Sequence, residues 1–198
     1  KEWEKNFSPM VVNDMCYVRA TFHEPMPQYP IEIIIDPKMA FGTGHHQTTT
    51  MMMEYVLEMD ISGKKVLDMG CGTGILAILA AKKGVAELVA IDYDPLSYDS
   101  TIENANLNHV PHIRAICGGK EAIPDEQFDV ILANINRNIL LDQIPRYAEV
   151  LRPGGEIYYS GFYESPDLDI IKDACLSVGM RYSGHKVMGE WTAACFKS

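Results

Sequence analysis

The sequence predicts an α/β fold in which strands and helices alternate around a mostly parallel sheet. Beyond residue 64, short β-branched runs alternate with segments of helical periodicity, and this order requires crossover connections between parallel strands. The chain has 198 residues, 47% of them hydrophobic, which is enough to bury a core without disulfides or a structural metal. Five runs are predicted as strands of the sheet: residues 65–69, 88–92, 113–117, 129–133 and 156–160.

Local start and stop signals delimit three helices between these strands. Asp94 and Pro95 provide a capping carboxylate and a first-turn proline for the first helix. The Arg-Pro-Gly-Gly sequence at 152–155 ends the second helix, and the Ser-Pro pair at 165–166 starts the third, which stops at Gly179. The residues expected to face the core are Tyr98, Ile102 and Ala105 in the first helix, Leu140, Ile144, Tyr147, Ala148 and Leu151 in the second, and Leu168, Ile171, Cys175 and Val178 in the third.

The two ends of the chain carry shorter strand patterns. Apolar and polar residues alternate over residues 16–22 and 31–35, and a proline-rich joint separates the two runs. We therefore expect residues 1–36 to form an N-terminal linker segment with two short strands, ahead of a main domain over residues 37–198. Near the other end, residues 180–186 and 191–197 are predicted to pair as a hairpin.

Composition and charge disfavour several classes of protein. The chain has 17 Lys and Arg against 27 Asp and Glu, a net charge of −10, so direct nucleic-acid binding is not expected and a basic partner is favoured. The five cysteines are widely spaced without a C-x-x-C pair, which fits a reducing compartment. No apolar run is long enough for a membrane span, and the first residues lack the pattern of a secretion signal. We expect a cytoplasmic protein without membrane association, and the sequence leaves its oligomeric state open.

The strongest chemical signal is a glycine-rich turn that joins a strand directly to a helix. Gly70, Gly72 and Gly74 alternate with other residues immediately after the strand at 65–69. Glycines allow the backbone to turn tightly and to approach a ligand without interference from Cβ atoms. The helix that follows directs its positive end at the turn, where a polar or anionic ligand group is stabilised. We predict a ligand-binding loop here, and a turn that only permits close packing is the alternative.

Asp92 ends the next predicted strand, about 20 residues after Gly70, where doubly wound sheets place an acid that accepts hydrogen bonds from ribose hydroxyls. This spacing predicts a nucleoside cofactor. A nicotinamide dinucleotide is disfavoured, because Ile75 stands where the G-x-G-x-x-G motif requires its third glycine. Asp94, two residues further on, is interpreted as the cap of its helix.

A second glycine-rich stretch precedes the sheet and leads into an apolar helical pattern. It contains Phe41 and Gly42, and Thr48 and Thr49 follow at the start of the helix. The free N–H groups and hydroxyls of such a start suit a ligand, although one or two of these threonines are interpreted as simple caps. The histidines at positions 45 and 46 diverge on any regular element and have no third ligand nearby, so we predict no metal site.

Amide side chains follow the fourth predicted strand of the sheet. Asn134 lies just past this strand, at the carboxyl edge where the ligands of such sheets bind. It is therefore the candidate for contacting a substrate. The alternative is that Asn134 caps the helix that contains Leu140.

These motifs together resemble the ribosomal protein L11 methyltransferase (PrmA) family, whose members are class I S-adenosylmethionine-dependent methyltransferases. The resemblance covers essentially the whole chain and rests on residues 40–49, the glycine loop at 68–76, and the segments 91–95 and 133–135. The G-x-G-x-G form of the loop and the turn at 151–156 are typical of class I methyltransferases in general. The stretch 41–49 combined with Asn134 is much more specific.

The resemblance implies a Rossmann-like domain with a seven-stranded, mostly parallel sheet, helices on both faces and an antiparallel last strand. It implies methyl transfer from S-adenosylmethionine to lysine and N-terminal amines of one large-subunit ribosomal protein. It also implies a small upstream substrate-recognition domain, which we expect to be absent from this chain. The residues that the resemblance implies to bind the cofactor are Thr49, Gly70, Asp92 and Asn134. We add Phe41, Gly42, Gly72 and Gly74 to the predicted cofactor-binding residues, and we predict Asn134 as the catalytic residue that orients the amine.

Two positions depart from the family pattern, and two other functions stay open. Gln47 stands where the family usually has proline, and Asn136 stands where it often has an apolar residue. One alternative function is that of a class I methyltransferase acting on another protein or on a small molecule. The other is that of a module that binds the cofactor without turnover. Methyl transfer to a ribosomal protein, to small amines or to neither distinguishes the three.

Overall fold

The N-terminal part of the chain forms a small three-stranded sheet. In the computed structural model, which describes residues 8–36 and 45–198, its strands are β1 Met10–Val12, β2 Cys16–Arg19 and β3 Ile31–Ile34. β1 is antiparallel to β2, and β2 is parallel to β3. Both predicted strands are present, and β1 is an additional strand that is too short to give a periodic pattern. Phe22, at the end of the predicted alternation, lies beyond β2 and is exposed.

Seven strands form the main sheet: β4 Lys65–Met69, β5 Glu87–Asp92, β6 Arg114–Cys117, β7 Phe128–Asn134, β8 Leu151–Phe162, β9 Arg181–Met188 and β10 Trp191–Lys197. Their order is β6-β5-β4-β7-β8-β10-β9. The strands β4 to β8 pair in parallel, whereas β10 is antiparallel to both β8 and β9. The predicted α/β class, the hairpin and the antiparallel last strand are therefore confirmed. The strand order reverses direction between β4 and β7, and doubly wound sheets bind their ligands at such a switch point.

The described residues contain five α-helices: α1 His45–Glu58, α2 Ile75–Lys82, α3 Pro95–Leu107, α4 Arg137–Val150 and α5 Asp169–Leu176. The first three pack on one face of the sheet, where Met52, Ile78 and Ala105 belong to one apolar cluster. α4 and α5 pack on the other face, where Leu140 and Ile171 belong to a second cluster. Helices therefore cover both faces, as the resemblance implied.

α2 is enclosed by its neighbours on all sides. Its residues 75–80 are all buried and form the sequence Ile-Leu-Ala-Ile-Leu-Ala. A helix that is apolar all round is typical of the interior of a layered fold. It begins directly after the glycine loop, so its packing fixes that loop at the carboxyl edge of the sheet.

α3 turns polar side chains toward the interior. The prediction that Ile102 faces the core is wrong, because its side chain is 38% exposed. Tyr98 is half-buried and Ala105 is buried, but the buried residues also include Thr101 and Asn104. The physical reason is that this face of α3 packs against loop backbone, whose polar groups need hydrogen-bond partners when they are buried.

Two of these polar side chains hold loop backbone in place. The hydroxyl of Thr101 donates to the carbonyl of Gly72 at 3.0 Å. The amide of Asn104 donates to the carbonyl of Thr73 at 2.8 Å and accepts from the backbone N–H of Asp36 at 2.9 Å. The glycine loop is thereby joined through α3 to the segment that leaves the N-terminal sheet.

α4 and α5 have boundaries that differ from the prediction. α4 passes directly into β8, so Leu151 belongs to the strand, and the Arg-Pro-Gly-Gly sequence lies in the irregular first part of β8. α5 starts at Asp169 rather than at Ser165, because Ser165 has extended backbone angles (φ −122°, ψ 126°) within an irregular turn over Glu164–Leu168. Val178 lies beyond the end of this helix and is half-buried.

We predict that Asn104→Ala destabilises the fold, because it removes the hydrogen bonds to the carbonyl of Thr73 and to the N–H of Asp36. The loss of one partner of a buried hydrogen bond costs roughly 1–3 kcal/mol, so the free energy of unfolding in urea should fall by roughly 2–4 kcal/mol. Asn106→Ala, at an exposed position of the same helix, is the control and should change it by less than about 0.5 kcal/mol. Equal stability of the two variants would contradict the bridging role of Asn104.

Candidate functional site

A cavity of about 390 Å³ opens at the carboxyl edge of the main sheet. Its walls come from the ends of β4, β5, β7 and β8, the loop after β6 and the first turn of α1. The structure places five of the residues predicted from the sequence in these walls: Thr49, Gly70, Gly72, Asp92 and Asn134. The cavity therefore lies at the switch point of the sheet and gathers residues from distant parts of the chain.

Among the described residues, one that was predicted to bind the cofactor, Gly74, does not line these walls. Gly74 has a φ of +84°, and a Cβ at this position would come within 3.1 Å of the Thr101 side chain. Glycine at this position therefore serves the turn and the close packing on α3, and its predicted contact with the cofactor stays a prediction. Phe41 and Gly42 lie outside the described residues.

The glycine loop is shaped by two close contacts. The backbone N–H groups of Gly70 and Cys71 both donate to the carbonyl of Ile91, at 2.8 and 3.0 Å. Gly70 has a φ of +76°, and a Cβ at this position would overlap the side chain of Ile135. The loop therefore lies directly against the residues that follow β7, and a larger residue at position 70 would force them apart.

Asp92 stabilises the glycine loop and also faces the cavity. One carboxylate oxygen accepts from the backbone N–H of Gly72 at 2.9 Å, and the other accepts from the N–H of Asp94 at 3.0 Å. A carboxylate oxygen has further acceptor capacity, so Asp92 can also accept from a pair of ligand hydroxyls. Asp94 is the helix cap, as predicted, because its side chain accepts from the N–H of Leu96 at 3.0 Å.

Asn134 lies at the end of β7, half-buried in the cavity wall. Its side-chain oxygen accepts a hydrogen bond from the hydroxyl of Ser160 at 2.8 Å. The cap of α4 is Asn136, whose side chain accepts from the N–H of Ile139 at 3.1 Å. The alternative interpretation of Asn134 as that cap is therefore wrong, and its amide is available to the cavity.

The first turn of α1 forms another wall of the cavity. Thr48 and Thr49 are both buried and line it. The side chain of Gln47 lies beside the turn between β9 and β10. A Cβ placed on Gly189 in that turn would be 3.4 Å from its amide nitrogen. The start of α1 is thus packed against the hairpin beside the cavity.

Other side chains in the described parts of the chain give no sign of a metal or thiol site. No group of three or more His, Cys, Asp or Glu side chains among them could hold a metal ion. All five cysteines are free thiols, and burial raises the pKa of Cys16 and of Cys175 to about 12. Among the described helices, none is long and apolar enough to cross a membrane.

The sequence analysis missed Asp68, which lies within β4 directly before the glycine loop. It is 0% exposed, and neither carboxylate oxygen has a hydrogen-bond partner among the described residues. Burial and the nearby carboxylate of Asp92 raise the pKa of Asp68 to about 7. The signal that could have found it is an acid in an otherwise apolar strand.

The sequence analysis also missed two aromatic walls of the cavity. Trp191 lines it from the start of β10 and stacks on Tyr163 with ring centroids 5.1 Å apart. Tyr93 lines it directly after Asp92 and is 74% exposed. Neither position follows from periodicity, because the cavity depends on how distant strands lie side by side.

The sheet with its one reversed strand, the glycine loop after β4 and the acid at the end of β5 define a class I S-adenosylmethionine-dependent methyltransferase. A solved structure titled as a putative S-adenosylmethionine dependent methyltransferase from Listeria monocytogenes shares the fold, with a TM-score of 0.62 over 74% of this chain and 97% of that chain at 13% identity. The family described as Ribosomal protein L11 methyltransferase (PrmA) matches residues 1–198, and the chain belongs to that family.

Individual relatives agree with this membership. The ribosomal protein L11 methyltransferase of Phocaeicola vulgatus is 46% identical, in an alignment that covers 99% of this chain and 70% of the relative. That of Porphyromonas gingivalis is 48% identical over 99% of this chain and 68% of the relative. The crystal structure of ribosomal protein L11 methylase from Lactobacillus delbrueckii subsp. bulgaricus is 28% identical, with a TM-score of 0.87 over 96% of this chain and 97% of that chain. The predicted family is confirmed.

The cofactor of this class is S-adenosylmethionine, and the residues of the cavity fit it. The cofactor carries positive charge on its sulfonium and amino groups. The buried carboxyl group of Asp68, next in sequence to the wall residue Met69, has no hydrogen-bond partner among the described residues, and a nearby positive charge would favour its ionised form. Asp92 retains acceptor capacity for ribose hydroxyls, and the glycine loop allows close approach of backbone. These residues would hold the cofactor between β4 and β5.

We predict that Asp92→Ala weakens binding of S-adenosylmethionine by about tenfold or more, since hydrogen bonds to a charged group contribute roughly 1.5–3 kcal/mol. Titration calorimetry measures the affinity. Asp94→Ala is the matched control, because it removes a nearby acid that caps a helix, and it should leave the affinity within about twofold. A cofactor analogue without the ribose 2′-hydroxyl should lose affinity for the wild type and lose much less for Asp92→Ala. Equal losses in both proteins would contradict the ribose contact.

We predict that Asp68 makes the ligand-free protein less stable as the pH rises from about 4 to about 7. Its pKa in the folded protein is raised to about 7, so the unfolded chain releases this proton at lower pH than the folded chain. Asp68→Asn has no titratable group at this position, so its stability lacks this pH dependence. The free energy of unfolding of the variant minus that of the wild type should therefore be larger at pH 8 than at pH 4, by roughly 1–4 kcal/mol. Urea denaturation at both pH values tests this, and a constant difference between the two proteins would refute it.

Proposed function

We propose that this protein transfers methyl groups from S-adenosylmethionine to lysine and N-terminal amines of ribosomal protein L11. The observation that carries the proposal is the position of Asn134, which shares a cavity wall with the glycine loop. The relatives from Phocaeicola vulgatus and Porphyromonas gingivalis are named ribosomal protein L11 methyltransferases. The choice of lysine and N-terminal amines as acceptors follows from the family resemblance and from the amide and carbonyl groups at this edge.

Positioning is the main contribution of the protein to this reaction. When bound, S-adenosylmethionine supplies an electrophilic methyl group on its sulfonium. The glycine loop holds the methionyl side, Asp92 accepts from the ribose hydroxyls, and Thr49 orders the front of the cavity. Alignment of reacting groups in one geometry lowers a barrier by roughly 7–11 kcal/mol in well-oriented systems.

Asn134 and Ile135 offer oxygen atoms to the incoming amine. A Cβ placed on Gly70 would lie 3.3 Å from the carbonyl oxygen of Asn134, and a Cβ placed on Gly161 would lie 2.7 Å from the carbonyl oxygen of Ile135. A neutral primary amine has two N–H groups. We assign one to the side-chain oxygen of Asn134 and the other to one of these backbone carbonyls, so that the lone pair faces the methyl carbon. The amine must lose its proton before it attacks, and solvent takes that proton.

The charge of the protein is part of the proposal. A net charge of −10 favours association with a basic protein substrate and disfavours direct contact with nucleic acid. Free thiols throughout the chain suit a reducing compartment. We place the reaction in the cytoplasm, where such a compartment and ribosomal proteins coincide.

The domain organisation is part of the proposal as well. We propose residues 1–36 as a linker segment and residues 37–198 as the transfer domain. Val12, Cys16 and Ile33 of the linker segment belong to the same apolar cluster as Met52 of α1 and Ile78 of α2. This packing supports a linker whose strands are attached to the transfer domain.

Methylation of purified ribosomal protein L11 tests the proposed function. With labelled S-adenosylmethionine, we expect label on L11 and mass increments of whole methyl groups on its lysine-containing and N-terminal peptides. Label on small amines and none on L11 would instead indicate a small-molecule methyltransferase. Cofactor binding without transfer to any amine would indicate a binding module.

Asn134→Ala is the matched variant for this assay, because it removes the side-chain amide that we assign to the acceptor amine. It should lower kcat by about 100-fold, as expected when reacting groups lose alignment, and should lower the thermal midpoint by only about 2–10 °C, because the buried hydroxyl of Ser160 loses its partner. A large fall in thermal stability with unchanged kcat in the folded fraction would show a structural role instead.

A further inference from the structure

Ser160 is a buried polar residue within an apolar strand. It is 0% exposed, and Tyr158, Tyr159 and Phe162 beside it on β8 are buried aromatic residues. Buried polar groups in native proteins are almost always hydrogen-bonded, because an unpaired one destabilises the fold. The hydroxyl of Ser160 has a partner in Asn134, on the neighbouring strand.

The sheet register brings these two residues together. Ser160 is directly opposite Asn134 of β7 on one side and Ala193 of β10 on the other. Alanine has no polar side chain, so the hydroxyl turns to Asn134 and donates to its side-chain oxygen at 2.8 Å. Because the bond spans two paired strands, the position of the Asn134 oxygen is fixed by the sheet itself.

The next residue of β8 supports the same segment. Gly161 has a φ of +93°, and a Cβ at this position would come within 2.7 Å of the carbonyl of Ile135. Two consecutive residues of β8 therefore contact two consecutive residues at the end of β7. One contact holds the side chain of Asn134, and the other allows close approach to the main chain of Ile135.

We propose that Ser160 is a positioning residue for methyl transfer, which acts by fixing the side-chain amide of Asn134. The proposal rests on the proposed function, in which that amide contacts the acceptor amine. An asparagine amide presents an acceptor oxygen on one side and an NH₂ donor on the other. Rotation of the amide by half a turn exchanges its oxygen and its NH₂ group. The NH₂ donors would then face the N–H groups of the substrate amine, which are donors themselves and need acceptors. The hydrogen bond from Ser160 keeps the oxygen in one position during the approach of the amine.

Ser160→Ala tests the proposal in steady-state methyl transfer. We expect kcat to fall by roughly 10- to 100-fold, the size of effect produced by small misalignments of reacting groups. The affinity for S-adenosylmethionine should stay within about twofold, because Asp92 and the glycine loop are untouched. An unchanged kcat would overturn the proposal.

A double-mutant cycle with Asn134→Ala separates positioning from a general structural effect. If Ser160 acts through Asn134, Ser160→Ala should change kcat by less than about twofold once Asn134 is alanine. The same loss of kcat in both backgrounds would overturn the proposal.

Should the alanine variant at position 160 fail to fold, Ser160→Cys keeps the shape with a much weaker donor. A lowered kcat in that variant supports the proposal, and a wild-type kcat overturns it.

Thr192→Val is the matched control for the loss of a buried hydroxyl. Thr192 lies on the adjacent strand β10, is buried, and its hydroxyl has no hydrogen-bond partner among the described residues. This variant should keep wild-type kcat, and a loss equal to that of Ser160→Ala would overturn the proposal.

The double-mutant cycle uses whichever amine the wild type methylates. A wild type inactive on L11 therefore contradicts only the proposed function, whereas a failed cycle contradicts only the role of Ser160.

Discussion

One buried amide, that of Asn104, joins parts of the chain that are distant in sequence. It accepts from the backbone N–H of Asp36 and donates to the carbonyl of Thr73. At this position a side chain provides the hydrogen-bond partners of backbone groups, whereas within the sheet a neighbouring strand provides them. Asn108, the residue directly after the last one of α3, does the same for both backbone groups of Ile34. A single helix therefore holds the glycine loop and the N-terminal sheet in a fixed relation, and the cavity depends on that relation.

The two halves of the cavity are coupled by the close approach of Gly70 to Ile135. Gly70 belongs to the loop that faces the cofactor, whereas Ile135 follows the asparagine assigned to the acceptor amine. Since Asp92 holds the N–H of Gly72, the acid that faces the ribose also sets the shape of this loop. Cofactor contacts and acceptor contacts are thus built on one continuous stretch of packed backbone, with little freedom for either to shift alone.

The positions of the strands along the chain and the cofactor motif could be predicted from the sequence because both are local. β-branched runs gave four of the five central strands to within one residue at each end, and for the fifth, β8, they gave only its middle part, residues 156–160. The glycine loop and Asp92 stand at fixed spacing. Periodicity was wrong for Ile102, because it counts apolar residues and ignores loop backbone that needs hydrogen bonds. It also missed the pairing of Ser160 with Asn134, since that contact depends on the register of two strands. Asp68 was missed because its importance lies in the lack of a partner among the described residues.

The position of β10 has a consequence for biosynthesis. This strand is made after both of its neighbours, yet it lies between β8 and β9 and pairs with each. While β10 is still inside the ribosome, β8 presents an open edge of unpaired backbone groups, and such edges pair with foreign strands. The wall that carries Trp191 does not exist until β10 arrives. A nascent chain therefore passes through an aggregation-prone stage in which the glycine loop is already synthesised and the transfer site is not yet assembled.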